Sequence, residues 1–345
     1  MRKLQILFLC GFVLSVSCHN IGRNPSEPVP QKPDYQITEN SIRQHILFLA
    51  SDSMKGRATG TPEMKTVRQY IANCFDSAGL NKLASYGDSY FQPFHLSGLR
   101  AEMILKSLQA DTTATRLNAY NVVGILPGKD SVLCNEYIVI GAHYDHVGVG
   151  YFATRSRDKA VHHGADDNAS GTAVMIELAN KMNSLRDSLK RSIIFIAYDA
   201  EELGLLGSYF FVANPPIGRS KIKLAVNLDM VGRLIDSTGV AIMGGNLFKN
   251  GEEWITEAAK SANIPIYNTD KNIYNSDHYH YYENKIPFIM PMPNLHKDYH
   301  TGRDKEEKIN YNGALNTAAF LTEMLKTTCN TDSIVAIPDK FHKLN

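Results

Sequence analysis

His143-Tyr144-Asp145-His146 follows directly on an apolar run, Tyr137–Gly141. The same arrangement recurs twice. Ser192–Ala197 leads into Tyr198-Asp199-Ala200-Glu201-Glu202, and Lys223–Leu228 leads into Asp229. Runs this short and this apolar suit strands buried on both faces of a sheet. Three strands would then deliver imidazole and carboxylate groups at their C-terminal ends, the edge at which open α/β sheets bind ligands. His162-His163-Gly164-Ala165-Asp166-Asp167 adds carboxylates ahead of a helical pattern that begins near Asn168. Tyr299-His300-Thr301 adds a late histidine.

Taken singly, each feature is ordinary. An Asp at a strand end is usually a turn or cap residue, and Asp166-Asp167 ahead of a helix complements its dipole. Glu201-Glu202 alone would pass as a solvated pair, and His143 as a satisfied buried histidine. Together they crowd mutually repelling carboxylates at one sheet edge, which requires a cation. Imidazole nitrogens mixed with carboxylate oxygens, without thiolates or any CxxC spacing, suit zinc or a similar divalent ion in a catalytic site.

The elements that must position these groups are legible in the hydrophobic pattern. From Thr38 to Ala78 the pattern is helical: Ile42, Ile46 and Leu49 share one face, as do Val67, Ile71 and Phe75 after Pro62, with Thr61 as the N-cap. Phe91–Phe94 and Ala101–Leu105 are candidate strands, and Asn121–Leu126 is a strand closed by Pro127-Gly128. Helices are expected over Asn168–Leu185, Leu203–Ala213, Glu252–Ala262 and Gly313–Lys326, with short strands at Gly239–Met243 and Ile286–Met290. Apolar strands alternating with helices predict an α/β fold: a three-layer sandwich, its central sheet mainly parallel and covered by helices on both faces.

The chain has 345 residues, 43% of them hydrophobic, with 36 Lys and Arg against 35 Asp and Glu for a net charge of +1. That balance, and the lack of a basic cluster interleaved with aromatics, argues against a nucleic-acid partner. Arg2 and Lys3 precede an apolar stretch, Leu4–Val16, that is too short to span a bilayer and reads as an export signal. Leu14-Ser15-Val16-Ser17-Cys18 resembles a bacterial lipobox, in which Cys18 becomes the lipidated first residue. The expected organisation is a signal over 1–17, a proline-rich lipid-anchored tether over 18–35, one folded domain over 36–330 and a tail over 331–345. The protein would be exported to the periplasm or outer membrane and touch membrane only through its lipid. Cys74, Cys134 and Cys329 read as structural and allow at most one internal disulfide.

His143-Tyr144-Asp145, Gly164–Gly171, Tyr198–Gly204, Asn227–Met230 and Tyr299–Thr301 resemble, in order, the five motifs of M28-type zinc aminopeptidases. The resemblance covers about Gln36 to Lys326. Phe48–Asp52 with Gly56-Arg57 and Gly60-Thr61-Pro62 is similar to the N-terminal helices of bacterial members. It implies that Asp167 bridges two zinc ions. His143 and Asp229 would complete one site, and Glu202 and His300 the other. Glu201 would be the general base, and Asp145 would accept a hydrogen bond from the second ring nitrogen of His143. The substrates would be peptides with free N-termini. The physics agrees: neighbouring side chains in an extended segment diverge, so one glutamate of the pair can ligate while the other serves the water.

Ser276-Asp277-His278 also resembles a family feature near the cleft, where Asp277 and His278 contact substrate or orient loops. His146, His162 and His163 lie near the ligands in sequence without an implied role, and the insert Gly148–His163 is either a lid or a solvated loop. Competing readings are a dipeptidase or carboxypeptidase of the same fold, a glutaminyl cyclase-type transferase with one zinc, and a binding module like the transferrin-receptor ectodomains that have lost zinc ligands.

Overall fold

The computed structural model of the protein describes residues 33–98, 102, 116–150, 160–234, 240–269, 275–292 and 295–341. The export segment, Cys18 and most of the tether lie outside these residues. So do Ala101–Leu105 apart from Glu102, and residues 151–159 of the insert.

Two helices open the domain. Helix α1, Glu39–Leu49, is capped by Thr38, whose hydroxyl accepts the Ser41 N–H at 3.0 Å while Ser41 Oγ accepts the Thr38 N–H at 3.1 Å. It buries the stripe Ile42, Ile46 and Leu49. Helix α2, Glu63–Ser77, buries Val67, Ile71 and Phe75. Thr61 does not cap it: its hydroxyl turns back to the Ala58 carbonyl at 2.7 Å. Pro62 stands just before the helix, where a missing N–H is no loss. Near the end of the expected tether, the Tyr35 hydroxyl donates to buried Glu177.

Eight strands form one sheet: β1 Phe91–Ser97, β2 Arg116–Leu126, β3 Tyr137–His143, β4 Ser192–Tyr198, β5 Ile222–Asn227, β6 Val240–Met243, β7 Ile266–Thr269 and β8 Phe288–Pro291. Their order is β1-β2-β4-β3-β5-β8-β6-β7. The centre, β4-β3-β5-β8, is parallel, whereas β1, β2 and β4 pair antiparallel and β6 runs against β8. Central β4 is buried along its whole length, as its apolar run predicts.

Helix α3, Gly171–Ser184, carries the chain from β3 to β4, and α4, Leu206–Ala213, carries it back past β3 to β5. Parallel crossovers are right-handed, so reversing direction along the sheet puts the two helices on opposite faces. Accordingly α1, α2, α3, α5 (Gly251–Ala262) and α7 (Tyr311–Asn330) pack among themselves, while α4 packs with α6 (His278–Glu283). The reversal opens a crevice beyond the C-terminal ends of β3 and β5, the usual ligand site in such sheets.

Helix starts differ from the sequence pattern where the backbone is needed for the site. Helix α3 begins at Gly171 rather than Asn168, because 165–170 is a distorted turn in which Asp167 (φ −105°, ψ 94°) and Asn168 (φ −131°, ψ 46°) leave helical geometry. Helix α4 begins at Leu206 rather than Leu203, because Ala200 (φ 61°) and Leu205 (φ 60°) take left-handed conformations. Beyond α7 the chain returns to the body, with Ile337 donating to the Leu247 carbonyl at 2.8 Å. Cys74, Cys134 and Cys329 are free thiols.

Candidate active site

His143 closes β3, and Asp229 lies two residues past β5. His143 Nε2 stands 3.3 Å from Asp229 Oδ1 and 3.4 Å from Asp167 Oδ1. On the other side of the same carboxylate, His300 Nε2 is 3.0 Å from Asp167 Oδ2 and 3.1 Å from Glu202 Oε2. The donor atoms therefore fall into two sets that share Asp167. One is His143, Asp167 and Asp229, and the other is His146, Asp167, Glu202 and His300, each with its atoms within 4.8 Å of one another.

The electrostatics of these sets fit a divalent cation. Asp167 Oδ2 is buried and accepts no hydrogen bond, although imidazole nitrogens approach within 3.0 and 3.6 Å. Nitrogens crowded off the hydrogen-bond line around one oxygen are what ligand atoms aimed at a common point look like. Burial would raise the Asp167 carboxyl, but the surrounding imidazoles hold it well below the usual carboxylate range. Burial would depress His300, yet Asp167 and Glu202 pull it up to about 10. Protons on the imidazoles are one way to balance this acidity. A metal ion in each set is the other, and it would displace those protons.

Glu201 lies beside the sets without joining either. Burial raises its carboxyl well above the ordinary value, opposed by His143 and reinforced by Glu202, Asp277 and Asp229. Asp145 takes a position different from the expected one. The nearer partner of His143 Nδ1 is the Asp145 carbonyl at 3.2 Å, with the carboxylate 3.7 Å away. That carboxylate instead accepts the backbone N–H groups of Glu201 at 3.1 Å and Glu202 at 3.2 Å.

Asp277 is buried at the start of α6, and burial raises its carboxyl to about 7, within the field of His143 and Asp229. His278 turns elsewhere: its Nδ1 is 3.4 Å from Asn227 Nδ2, and its ring packs on Phe288 with centroids 4.5 Å apart. His163 pairs with Asp52 at 2.7 Å, and neither it nor His162 joins the two donor sets among the described residues.

Residues 121–325 match the description "Peptidase family M28". The chain belongs to this family. It is 30% identical to aminopeptidase YwaD of Bacillus subtilis (strain 168) over 229 residues, 61% of the chain and 46% of that relative, so it spans about half of YwaD's length. A zinc aminopeptidase from Bacillus subtilis superposes with a TM-score of 0.62 at 17% identity, covering 86% of this chain and 97% of that one. A Bacteroides thetaiotaomicron glutaminyl cyclase bound to N-acetylhistamine gives 0.63 at 20% identity, covering 85% and 98%. Both show the shared fold.

In this M28 chain, three further residues, Asp304, Asn168 and Arg57, hold the site in place. Asp304 accepts the N–H groups of Asp166 and Asp167, the latter at 3.0 Å, and so fixes the backbone of the residue that the two donor sets share. Asn168 Nδ2 donates to the Leu228 carbonyl at 2.8 Å while its Oδ1 accepts the Met230 N–H at 3.2 Å, which clamps the turn around Asp229. Arg57 is wholly buried and donates to the carbonyls of Leu49, Tyr144, His163 and Gly164 at 2.7–2.9 Å, joining the N-terminal helices to both ligand loops. Gly56-Arg57 was a recognisable pair in the sequence. Asn168 lay within the Gly164–Gly171 motif, and Asp304 had no signal.

Proposed function

We propose that the protein is a two-zinc aminopeptidase. The observation that carries the reading is the sharing of Asp167 between two adjacent donor sets, each mixing imidazole and carboxylate as zinc prefers. His143, Asp167 and Asp229 would hold one ion, and Asp167, Glu202 and His300 the other. Bound zinc supplies Lewis acidity and acidifies nearby water. Glu201 takes a proton from the attacking water and returns it to the departing amine. Asp145 keeps the Glu201-Glu202 backbone in register with His143.

Glu201 and buried Asp277, carboxyl groups that belong to neither donor set, favour a cationic substrate group. A free α-ammonium supplies one and a blocked N-terminus does not. The organisation proposed with this activity is an exported enzyme with a cleaved signal over 1–17 and a lipid on Cys18, supported by the charged, apolar and lipobox-like pattern of that segment. The cyclase reading draws on the similar fold of the Bacteroides enzyme, and the second donor set around Glu202 and His300 weighs against a single-zinc centre.

Aminoacyl-anilides, their N-acetylated counterparts, and a peptide with N-terminal glutamine separate these readings. The expected result is cleavage of free N-termini alone. Cyclisation of glutamine without hydrolysis, or release of C-terminal residues, would replace the aminopeptidase reading.

A further inference from the structure

The family motifs give His146 no role, yet its ring is buried, 1% exposed, among the ligands. Its Nδ1 lies 2.9 Å from Glu202 Oε1 and 3.6 Å from Asp167 Oδ2. Zinc bonds of about 2.0–2.2 Å in a tetrahedron put donor atoms about 3.3–3.6 Å apart. The 3.6 Å separation falls in that range, and the 2.9 Å one, a hydrogen bond, is as close as His300 Nε2 comes to the same two carboxylates at 3.0 and 3.1 Å. The His146 and His300 rings meet edge to face, with centroids 5.6 Å apart and planes at 77°. They thus bring nitrogens to the same two carboxylates without stacking.

The backbone is shaped around this ring. Gly164 has φ +57°, and a Cβ there would fall 2.6 Å from His146 ring carbons. The His146 N–H is held by the Arg57 carbonyl at 3.1 Å. Its Nε2 is buried and has no hydrogen-bond partner among the described residues. The ring is therefore not held there by a network on its far side, and its one polar engagement is with the ligand carboxylates.

We propose that His146 is itself a metal ligand through Nδ1. The site with Asp167, Glu202 and His300 then has four protein donors, and the site with His143, Asp167 and Asp229 has three. This rests on the two-zinc reading. It makes the two sites unequal: the four-donor site fills first and releases its ion last, while the three-donor site keeps an open position, as catalytic zinc does.

The test is titration of the metal-free protein with cobalt(II), read by stepwise affinity and by visible absorption, on the parent, His146→Ala and His146→Asn. The asparagine amide keeps a donor near the place of Nδ1 but does not ligate as imidazole does. Thermal unfolding of the metal-free proteins checks that each variant folds. The parent should bind two ions in two distinguishable steps. Both variants should weaken the tighter step by about 100-fold or more, since loss of an orienting partner alone costs about 10–100-fold, and should change its absorption band while leaving the weaker step in place. Parent-like steps and spectra in the alanine variant would overturn the proposal, as would rescue by asparagine, which would reduce His146 to a hydrogen-bond partner of Glu202. Fewer than two ions in the parent would instead overturn the two-zinc reading, and His146's place with it.

Discussion

The Asp145 carboxylate and the Glu201 backbone N–H are hydrogen-bonded at 3.1 Å, which ties the loop after β3 to the loop after β4. The other carboxylate oxygen accepts the Glu202 N–H. One side chain thus sets the position of a proposed ligand and of the proposed base together. Asp145→Asn presents an N–H to one of those two donors. It should lower kcat/KM by about 10–100-fold, the range typical of groups that orient ligands. Steady-state kinetics alongside a metal assay checks this, and parent-like kinetics would contradict it.

In the proposed mechanism Glu201 contributes to proton transfer and not to holding metal. Glu201→Gln should cut kcat by about 10²–10⁴-fold and leave the metal content of the protein unchanged. A loss of metal in this variant would show that Glu201 ligates.

Arg57 serves four buried carbonyls. Arg57→Met leaves the carbonyls of Leu49, Tyr144 and His163 without this donor, while that of Gly164 keeps the Ala169 N–H at 3.1 Å; at about 1–3 kcal/mol for a buried polar group left unsatisfied, the loss should total about 3 kcal/mol or more. Urea unfolding measures it. Arg57→Lys should recover only part, because an ammonium cannot reproduce the planar fork. An unchanged midpoint in Arg57→Met would contradict the account.

Asp199 links stability to pH. It is buried, accepting from Thr59 Oγ1 at 2.8 Å and from the Tyr120 N–H at 2.9 Å. Burial, then the nearby Asp145 charge, raises its carboxyl to about 7. In the unfolded chain it titrates near about 3.9. The folded state therefore holds a proton that the unfolded state has released, and stability falls as pH rises from about 4 to about 7. Asp199→Asn mimics the neutral carboxyl, so the stability advantage of the parent over the variant should shrink across that window. Thermal unfolding of both proteins against pH measures this, and a constant difference would contradict it.

The sheet and most residues of the two donor sets were legible because each depended on a strong local pattern. Apolar runs such as Ser192–Ala197 marked buried strands, and a strand end marks the edge where His143 and Asp229 must lie. What was illegible depends on single residues in irregular backbone. Left-handed Ala200 and Leu205 delay helix α4, and Gly204 (φ 102°) is the one residue of Leu203–Leu206 whose type hints at it. Thr61 beside Pro62 looked like a cap but bonds backward to Ala58. His146 stands three residues after His143 in a loop with no periodicity, so only the fold shows that its ring turns toward Glu202. Asp304 reaches Asp167 across 137 residues of sequence.

The central claim is that one carboxylate, Asp167, joins two metal sites. Its most direct test is the metal content of the purified protein by native mass spectrometry, with activity on a free aminoacyl-anilide followed through chelation and zinc restoration. The account predicts two zinc ions per chain, loss of cleavage on chelation and recovery with zinc. One ion or none in zinc-supplemented protein, or cleavage that survives complete metal removal, would contradict it.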